Sequence, residues 1–513
     1  MRLMRPGSVI IALCVAIPTT AGEWDDCEPA IDLVGPVPEE YYSYSEVVSE
    51  LARLAYLRPD ICHLGVAGHS QELGLPIPVV TFARDPEARN RPCVMFTGAI
   101  HAREVPSVVT TIALCRRIVQ GDGVDPLITN LLDGIRIVVI PMINVDGVSY
   151  IFDENLSSPW WRKNLRDNNG WGFSPDSDGV DLNRNFDRFW EFGDSNPTSW
   201  YYRGEAPFSE AEACAVRDVA RTELPSFGIT YHTYDEAVYY PRTVGGQFTP
   251  DDDLYTAIAW GLANRLTRHN GSVYFTARQS RKGFSSHWLY SAVGCFDYTM
   301  EIGTEHVPDF ETAKQDAVQH VEAALWLCDA ARRIGVTGTV ADSLTGETVE
   351  CEVSVIGRES SGDLPRRNDP ETGFYHRPIP PGSHVFSFTA EGYEMLVDTV
   401  LVLAGTTATH NVRLVPSVVA MSGATTPRPT PLRVHPNPFN SVATFLFYLP
   451  TDARASVQVF DLLGRKVDTP TDGWFTAGDH RVVWDASLLA SGVYLIRFTS
   501  GETTSAIRTV LLK

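Results

Sequence analysis

Apolar residues fill Cys93 to Ile100 (CVMFTGAI) and Ile135 to Ile140 (IRIVVI) almost without interruption, as in strands buried on both faces. Between them the period changes. Within Val105 to Gln120, apolar residues fall at 105, 108, 109, 112, 115 and 119, a helical spacing. A further strand is predicted over Ile77 to Phe82, and Ser209-Glu-Ala-Glu212 reads as a capping box opening a helix over Ala213 to Ala220. Strand–helix alternation from about Tyr41 to Arg333 predicts an α/β sandwich with a largely parallel or mixed sheet. After Gly335 the texture becomes short strand-like runs (Val336 to Val340, Cys351 to Ile356, Val385 to Thr389, Val412 to Leu414) separated by turn signals such as Pro380-Pro381-Gly382. A proline-rich stretch, 416–431, marks a linker, and a second β-rich module follows. The expected organisation is an α/β domain at 41–334, a small β-sandwich at 335–415, the linker at 416–431 and a β domain at 432–513.

The first residues carry a different signal. Arg2 and Arg5 precede an apolar run from Val9 to Pro18, and Thr19-Thr20-Ala21 offers small residues for cleavage, so 1–21 reads as a signal peptide. Residues 22–40 then form a short N-terminal segment, too short for a folded activation domain. The run is too brief to cross a bilayer and no later one is long enough, so export without a transmembrane segment is expected. Removal of the leader would leave eight cysteines, which an oxidising compartment permits to pair, with the connectivity open. No Cys-x-x-Cys occurs, which argues against a cysteine-based zinc site. The net charge of −21 excludes a polyanionic nucleic acid as partner and otherwise describes a solvated acidic surface.

Two His-x-x-Glu pairs could each offer two ligands to a metal. His69/Glu72 lies in a polar, glycine-flanked turn before a strand. His101/Glu104 lies where a buried strand gives way to a helix, and ligands of open α/β sheets gather at the carboxyl ends of strands. The second pair therefore has the better position.

The segment GAIHAREVPS at 98–107 resembles the zinc-binding segment of the metallocarboxypeptidases, the family of pancreatic carboxypeptidase A. The resemblance continues in order through Pro141 to Gly147, Trp161-Arg162-Lys163, Gly179 to Phe186, Tyr202-x-Gly204, His232-Thr-Tyr234 and Tyr298-Thr-Met-Glu301. It implies a three-layer α/β/α sandwich with a mixed eight-stranded sheet. It also implies one zinc ion on His101, Glu104 and His232, with Glu301 as the base that takes a proton from the metal-activated water and delivers it to the leaving amine. By the same matches Arg162 would stabilise the oxyanion, and Asn183 and Arg184 would grip the terminal carboxylate of a peptide. Arg103 would line the next subsite, and Asp181 would orient a zinc-bound histidine. The segments 335–349 and 380–394 resemble a transthyretin-like module. His435 to Asn440, 457–467 and 491–498 resemble the C-terminal sorting domains of bacterial type IX secretion, which implies a bacterial chain delivered outside or to the cell surface, with that machinery as a partner.

The pattern departs in two places. Where the family carries a mobile tyrosine, counting back from Trp288 gives Gln279. Tyr274 takes that role only if five residues are inserted, and Tyr234 is expected to line the cleft. In the pocket segment, His287 stands where relatives often carry Asp, and Arg278, Arg281 and Lys282 nearby suggest a preference for an acidic C-terminal residue. The expected function is an exported zinc exopeptidase. Two rivals are a cell-wall stem-peptide hydrolase of the same family and a non-catalytic surface binding protein.

Overall fold

The buried apolar runs become the centre of one sheet. In a computed structural model the first unit holds strands β1 (Cys62–His69), β2 (Pro76–Phe82), β3 (Cys93–Thr97), β4 (Arg136–Ile140), β5 (Phe227–Thr233), β6 (Ala237–Pro241), β7 (Phe275–Gln279) and β8 (Phe296–Ile302). Their order is β1-β2-β4-β3-β5-β8-β6-β7. The pairs β4/β3, β3/β5, β5/β8 and β6/β7 are parallel, while β1/β2, β2/β4 and β6/β8 are antiparallel, so the eight-stranded sheet is mixed. Its helices are α1 (Tyr44–Leu57), α2 (Pro106–Gly121), α3 (Pro126–Gly134), α4 (Val145–Ile151), α5 (Ala211–Glu223), α6 (Asp252–Ala263), α7 (Ser285–Val293) and α8 (Phe310–Ala331). The structure describes residues 40–152, 160–241, 248–280, 282–360, 363–417, 432–449, 451–461, 464–501 and 503–513. The predicted leader, most of the segment after it and 418–431 of the linker lie outside these.

Every residue of β3, β4 and β5 is buried, which explains their apolar composition. Side-chain alternation gives the two faces of the sheet different work. On one face Tyr231 of β5 donates to the carbonyl of His320 in α8 at 3.4 Å. On the other, Thr230 donates to Asp297 of β8 at 2.9 Å, and Thr299 meets Ser286 of α7 at 3.5 Å. Helices therefore cover both faces, as a three-layer sandwich requires.

Two expectations need correction. The strand predicted to Ile100 stops at Thr97, because Gly98 and Ala99 turn the chain out of the sheet. A Cβ on Gly98 would stand 2.7 Å from the Pro141 carbonyl oxygen, and Ala99 adopts φ 45°, a left-handed conformation costly for a residue with a side chain. The capping box at Ser209 does not form. The Ser209 hydroxyl instead engages Glu210 at 2.6 Å and Asn185 at 2.9 Å, and α5 begins at Ala211 without a side-chain cap.

Glu212, the predicted partner in that box, is wholly buried in the first turn of α5. Its Oε1 accepts from the Gln71 N–H at 3.3 Å, whereas Oε2 has no hydrogen-bond partner among the described residues. Burial, with Asp146 and Glu210 adding repulsion, pushes its carboxyl up from 4.5 to about 8. A raised carboxyl pKa contributes stability that is complete below the unfolded value and lost as pH rises through the folded one. Thermal stability should thus fall between pH 5 and pH 9. Glu212→Gln should flatten that dependence and raise the Tm at pH 9 by about 5 °C or more. Melting curves at the two pH values check this; parallel profiles for both proteins would refute it.

The second compact unit takes up most residues from Val336 onward. In it, Glu352–Val355, Gly382–Thr389 and Leu396–Val402 form an antiparallel sheet, and Val412–Leu414 runs parallel to Val336–Asp342. Further along, Leu432–His435, Val442–Leu449 and Gly478–Asp485 make one sheet, and Lys466–Phe475, Ala453–Phe460, Gly492–Ser500 and Thr503–Leu511 make another. Phe445, Phe447, Val457, Trp484, Ile496 and Phe498 form the core there. Seven cysteines are described, six of them buried, and no disulfide joins any two of them.

Candidate active site

The turn that ends β3 is locked from several sides. The Gly98 N–H donates to Ile140 O at 3.0 Å, and the Ala99 N–H to the Ser107 hydroxyl at 2.8 Å. Buried Asn144, the N-cap of α4, reaches the Lys163 carbonyl at 3.0 Å, and the Ala102 N–H donates to Arg162 O at 3.1 Å. His101 and Glu104 are thereby fixed at the carboxyl end of β3. His232 arrives beside them from β5, where it is the register partner of Glu301 on the adjacent parallel strand β8.

His101, Glu104 and His232 are all buried, with candidate ligand atoms within 4.8 Å of one another. Nδ1 of His101 lies 2.8 Å from Glu104 Oε1, Nδ1 of His232 lies 2.8 Å from Oε2, and the two Nδ1 atoms are 3.2 Å apart. Burial would raise the Glu104 carboxyl, but the two imidazoles outweigh it and hold the group well below its usual range. Two nitrogens and a carboxylate converging in a buried pocket are the donor set of a hydrolytic zinc site, so these residues fit that metal. The other pair does not assemble. His69 and Glu72 are exposed, and among the described residues they belong to no cluster able to hold a metal.

Asp181 links this pocket to the arginines. Its Oδ1 lies 3.1 Å from Nε2 of His101, and its Oδ2 accepts from Nε and Nη2 of Arg162 at 3.0 and 2.9 Å. Nη1 of Arg184 is 3.6 Å from the same Oδ2. Burial opposes the Asp181 charge, yet Arg162 and Arg184 hold the carboxyl well below its usual range. Asp181 also accepts from the Asn183 N–H at 3.0 Å, starting the short turn Leu182–Arg184. Asn183 is buried, with Nδ2 3.2 Å from Nε2 of His232 and Oδ1 accepting from the Ser285 N–H at 2.9 Å. Arg103 touches the Trp160 carbonyl at 3.5 Å, and its buried Nε has no hydrogen-bond partner among the described residues. Burial pushes the Glu301 carboxyl up to about 7, against the pull of His232.

Tyr274 is not part of this assembly. Its hydroxyl is 3.1 Å from Nε2 of His320 and accepts from the Gly303 N–H at 3.4 Å, and the side chain is only 2% exposed. A phenol packed into the core cannot swing over a cleft, so its expected role is withdrawn. Tyr234, by contrast, is 49% exposed and packs edge-on against His306. Of the basic residues near the pocket segment, Arg278 is engaged by Asp252. Nε and Nη2 of Arg278 donate to Asp252 at 2.6 and 2.8 Å, His287 is buried with Nε2 2.9 Å from the Gln279 carbonyl, and Arg281 lies outside the described residues. Sequence reasoning passed over Trp200 and Tyr201, whose rings stand against Arg103, Arg162 and Arg184. The aromatic run Trp200-Tyr201-Tyr202 was the available signal.

A zinc carboxypeptidase family profile matches residues 47–323, and a secretion system C-terminal sorting domain profile matches 433–513. Carboxypeptidase A2 of Rattus norvegicus is 29% identical over 282 residues, 53% of this chain and 62% of that protein. Carboxypeptidase B of Bos taurus is 28% identical over 273 residues, 52% of this chain and 63% of its own length. The chain thus spans less than two thirds of these curated relatives. An inactive metallocarboxypeptidase of Arthroderma otae is 31% identical over 204 residues, 38% of this chain and 33% of that protein. Among solved structures, carboxypeptidase A from Helicoverpa armigera superposes with a TM-score of 0.51 at 22% identity, covering 57% of this chain and 75% of that one. Thrombin activatable fibrinolysis inhibitor gives 0.51 at 23%, covering 57% and 74%, and both likenesses speak for the fold. Because the first profile spans more than half of the sequence, the chain belongs to the zinc carboxypeptidase family.

Proposed function

We propose that this chain is an exported bacterial metallocarboxypeptidase that removes the C-terminal residue of a peptide or protein with a free carboxylate. One observation carries the reading: a single carboxylate, Asp181, touches a member of the His–Glu–His pocket and the guanidinium of Arg162, and lies beside that of Arg184. Zinc held by His101, Glu104 and His232 would supply Lewis acidity and bring the pKa of a ligated water toward neutrality. The chain's own residues then divide the work. Asn183 and Arg184 hold the terminal carboxylate, the guanidinium fork matching its two oxygens. Arg162 faces the oxyanion that develops at the scissile carbonyl. The Glu301 carboxylate accepts the proton of the attacking water and returns it to the leaving amine. Arg103, whose enclosed Nε has no hydrogen-bond partner among the described residues, contacts the residue upstream. Asp181 fixes the His101 ring through Nε2, leaving Nδ1 toward the pocket.

The profile at 433–513 supports delivery by type IX secretion, with 1–21 as the leader. No described helix is long and apolar enough to cross a membrane. We read 41–334 as the catalytic domain, 335–415 as a transthyretin-like module and 432–513 as the sorting domain. The alternation of buried with half-buried residues along Val336–Asp342, and of buried with exposed ones along Val412–Leu414, supports a sandwich for the middle module.

Release of the terminal residue from N-blocked peptides should occur, stop on chelation and return with zinc. The same peptides amidated at the C-terminus should be cleaved at least about tenfold less efficiently, since a charge-assisted pair with Arg184 is lost. Turnover confined to wall stem peptides would favour the first rival, and zinc-loaded protein that releases nothing would favour the binding protein.

A further inference from the structure

Tyr201 lies outside every matched motif, yet its ring serves two arginines. The segment carrying it returns to the site through the Arg203 N–H, which donates to Asp194 O at 2.9 Å, and the Asp181 N–H, which donates to Tyr202 O at 2.9 Å. Residue 201 is thus pinned beside the backbone of the carboxylate that organises the site. Tyr201 is 53% exposed, with its ring centroid 5.4 Å from Cζ of Arg162 and 5.2 Å from Cζ of Arg184. Arg184 also lies 4.4 Å from the Phe284 ring, and Trp200 stands 5.6 Å from Cζ of Arg103. A single exposed aromatic is unremarkable on a protein surface; one ring shared by two guanidiniums beside a buried metal-binding pocket is not.

The physical need is plain. Arginine carries substantial rotamer freedom, and a clamp that wanders gives up the benefit of orientation. Asp181 restrains Arg162 along its Nε and Nη2 edge and Glu104 lies 3.6 Å from Nη1, contacts made in the guanidinium plane that oppose tilt of that plane least. An aromatic face against the cation limits this motion and holds the two forks at a fixed separation. We propose that Tyr201 is a positioning residue for the reaction: its ring sets Arg162 and Arg184 relative to each other, so that the scissile carbonyl and the terminal carboxylate are gripped together. The proposal rests on the reading that these arginines bind substrate, and it assigns the work to the ring and not to the hydroxyl.

The test uses the full zinc-loaded chain with Tyr201→Phe and Tyr201→Leu. Two measurements are made: steady-state release from an N-blocked dipeptide, and calorimetric binding of an N-acetylated amino acid, which needs no turnover. Tyr201→Phe should stay within about twofold of the parent, whereas Tyr201→Leu should bind the N-acetylated amino acid about three- to tenfold more weakly. Kinetically, Tyr201→Leu should both raise KM and lower kcat, because both arginines lose their support. Its melting temperature should be unchanged, the ring being half in water. A Leu variant equal to the parent in binding, KM and kcat would overturn the proposal, as would a Phe variant as impaired as Leu. A parent that binds the N-acetylated amino acid in a Tyr201-dependent way but releases nothing would sink the catalytic reading and leave this one standing. A parent that neither binds nor hydrolyses would overturn both.

Discussion

Glu301→Gln is expected to lower kcat by about 10³- to 10⁴-fold while leaving KM and bound zinc close to those of the parent. The substitution keeps shape and volume and removes only the ability to accept a proton. Glu301 sits on β8 directly in register with His232 on β5, so a backbone pairing, not a flexible loop, sets its distance from the pocket. No hydrogen bond among the described residues ties Glu301 to the metal-binding set, and Glu104 closes the contacts to both histidines. Substrate grip is assigned to Asn183 and Arg184, so KM should hardly move. Rates must be expressed per zinc-loaded molecule, with metal content measured on the same samples. A Gln variant retaining more than about a tenth of the parental kcat would remove Glu301 from its role as base, since general-base catalysis is worth far more than that.

Much of this was legible in the sequence, and the parts that were not have specific causes. The buried runs at 93 and 135 became the adjacent parallel strands β3 and β4, because a strand covered on both faces has to be apolar throughout. Position at a strand end favours His101/Glu104 over His69/Glu72, the distant His232 and the Arg162, Asn183 and Arg184 motifs add to it, and the exposure of the other pair agrees. Local signals failed where tertiary partners competed. Ser209 has the right spacing for a capping box, but Asn185 and Glu210 claim its hydroxyl, and the glutamate meant to complete the box is buried instead. Tyr274 is the nearest tyrosine upstream of Trp288 along the chain, but distance along the chain does not show that β7 begins directly after it or that the core residue His320 holds its hydroxyl. Tyr201 escaped for the converse reason. Contacts between a ring and two cations 17 and 39 residues away leave no periodicity in the sequence.

Arg162→Met should lower kcat by about 10²- to 10³-fold with a small change in KM, the signature of a group that acts on charge present only in the transition state. The reasoning turns on which edge of the guanidinium is occupied. Nε and Nη2 are spent on Asp181 Oδ2, while Nη1 faces the pocket 3.6 Å from Glu104 Oε1. A donor already desolvated and anchored needs no reorganisation when negative charge appears on a carbonyl oxygen. Met fills similar volume but leaves Asp181 with less compensation, so a loss of stability of about 3 kcal/mol accompanies the kinetic effect. The two are separated by scaling kcat to the folded, zinc-loaded fraction. Arg162→Lys should rescue little, because one ammonium cannot anchor to Asp181 and still reach the carbonyl. Arg184→Met supplies the contrast: it removes grip on a carboxylate that is charged before and during reaction, so KM should rise about tenfold or more and kcat fall less. If both variants shifted KM alone, Arg162 would be a second clamp residue, and the oxyanion would have to find its positive charge in the metal.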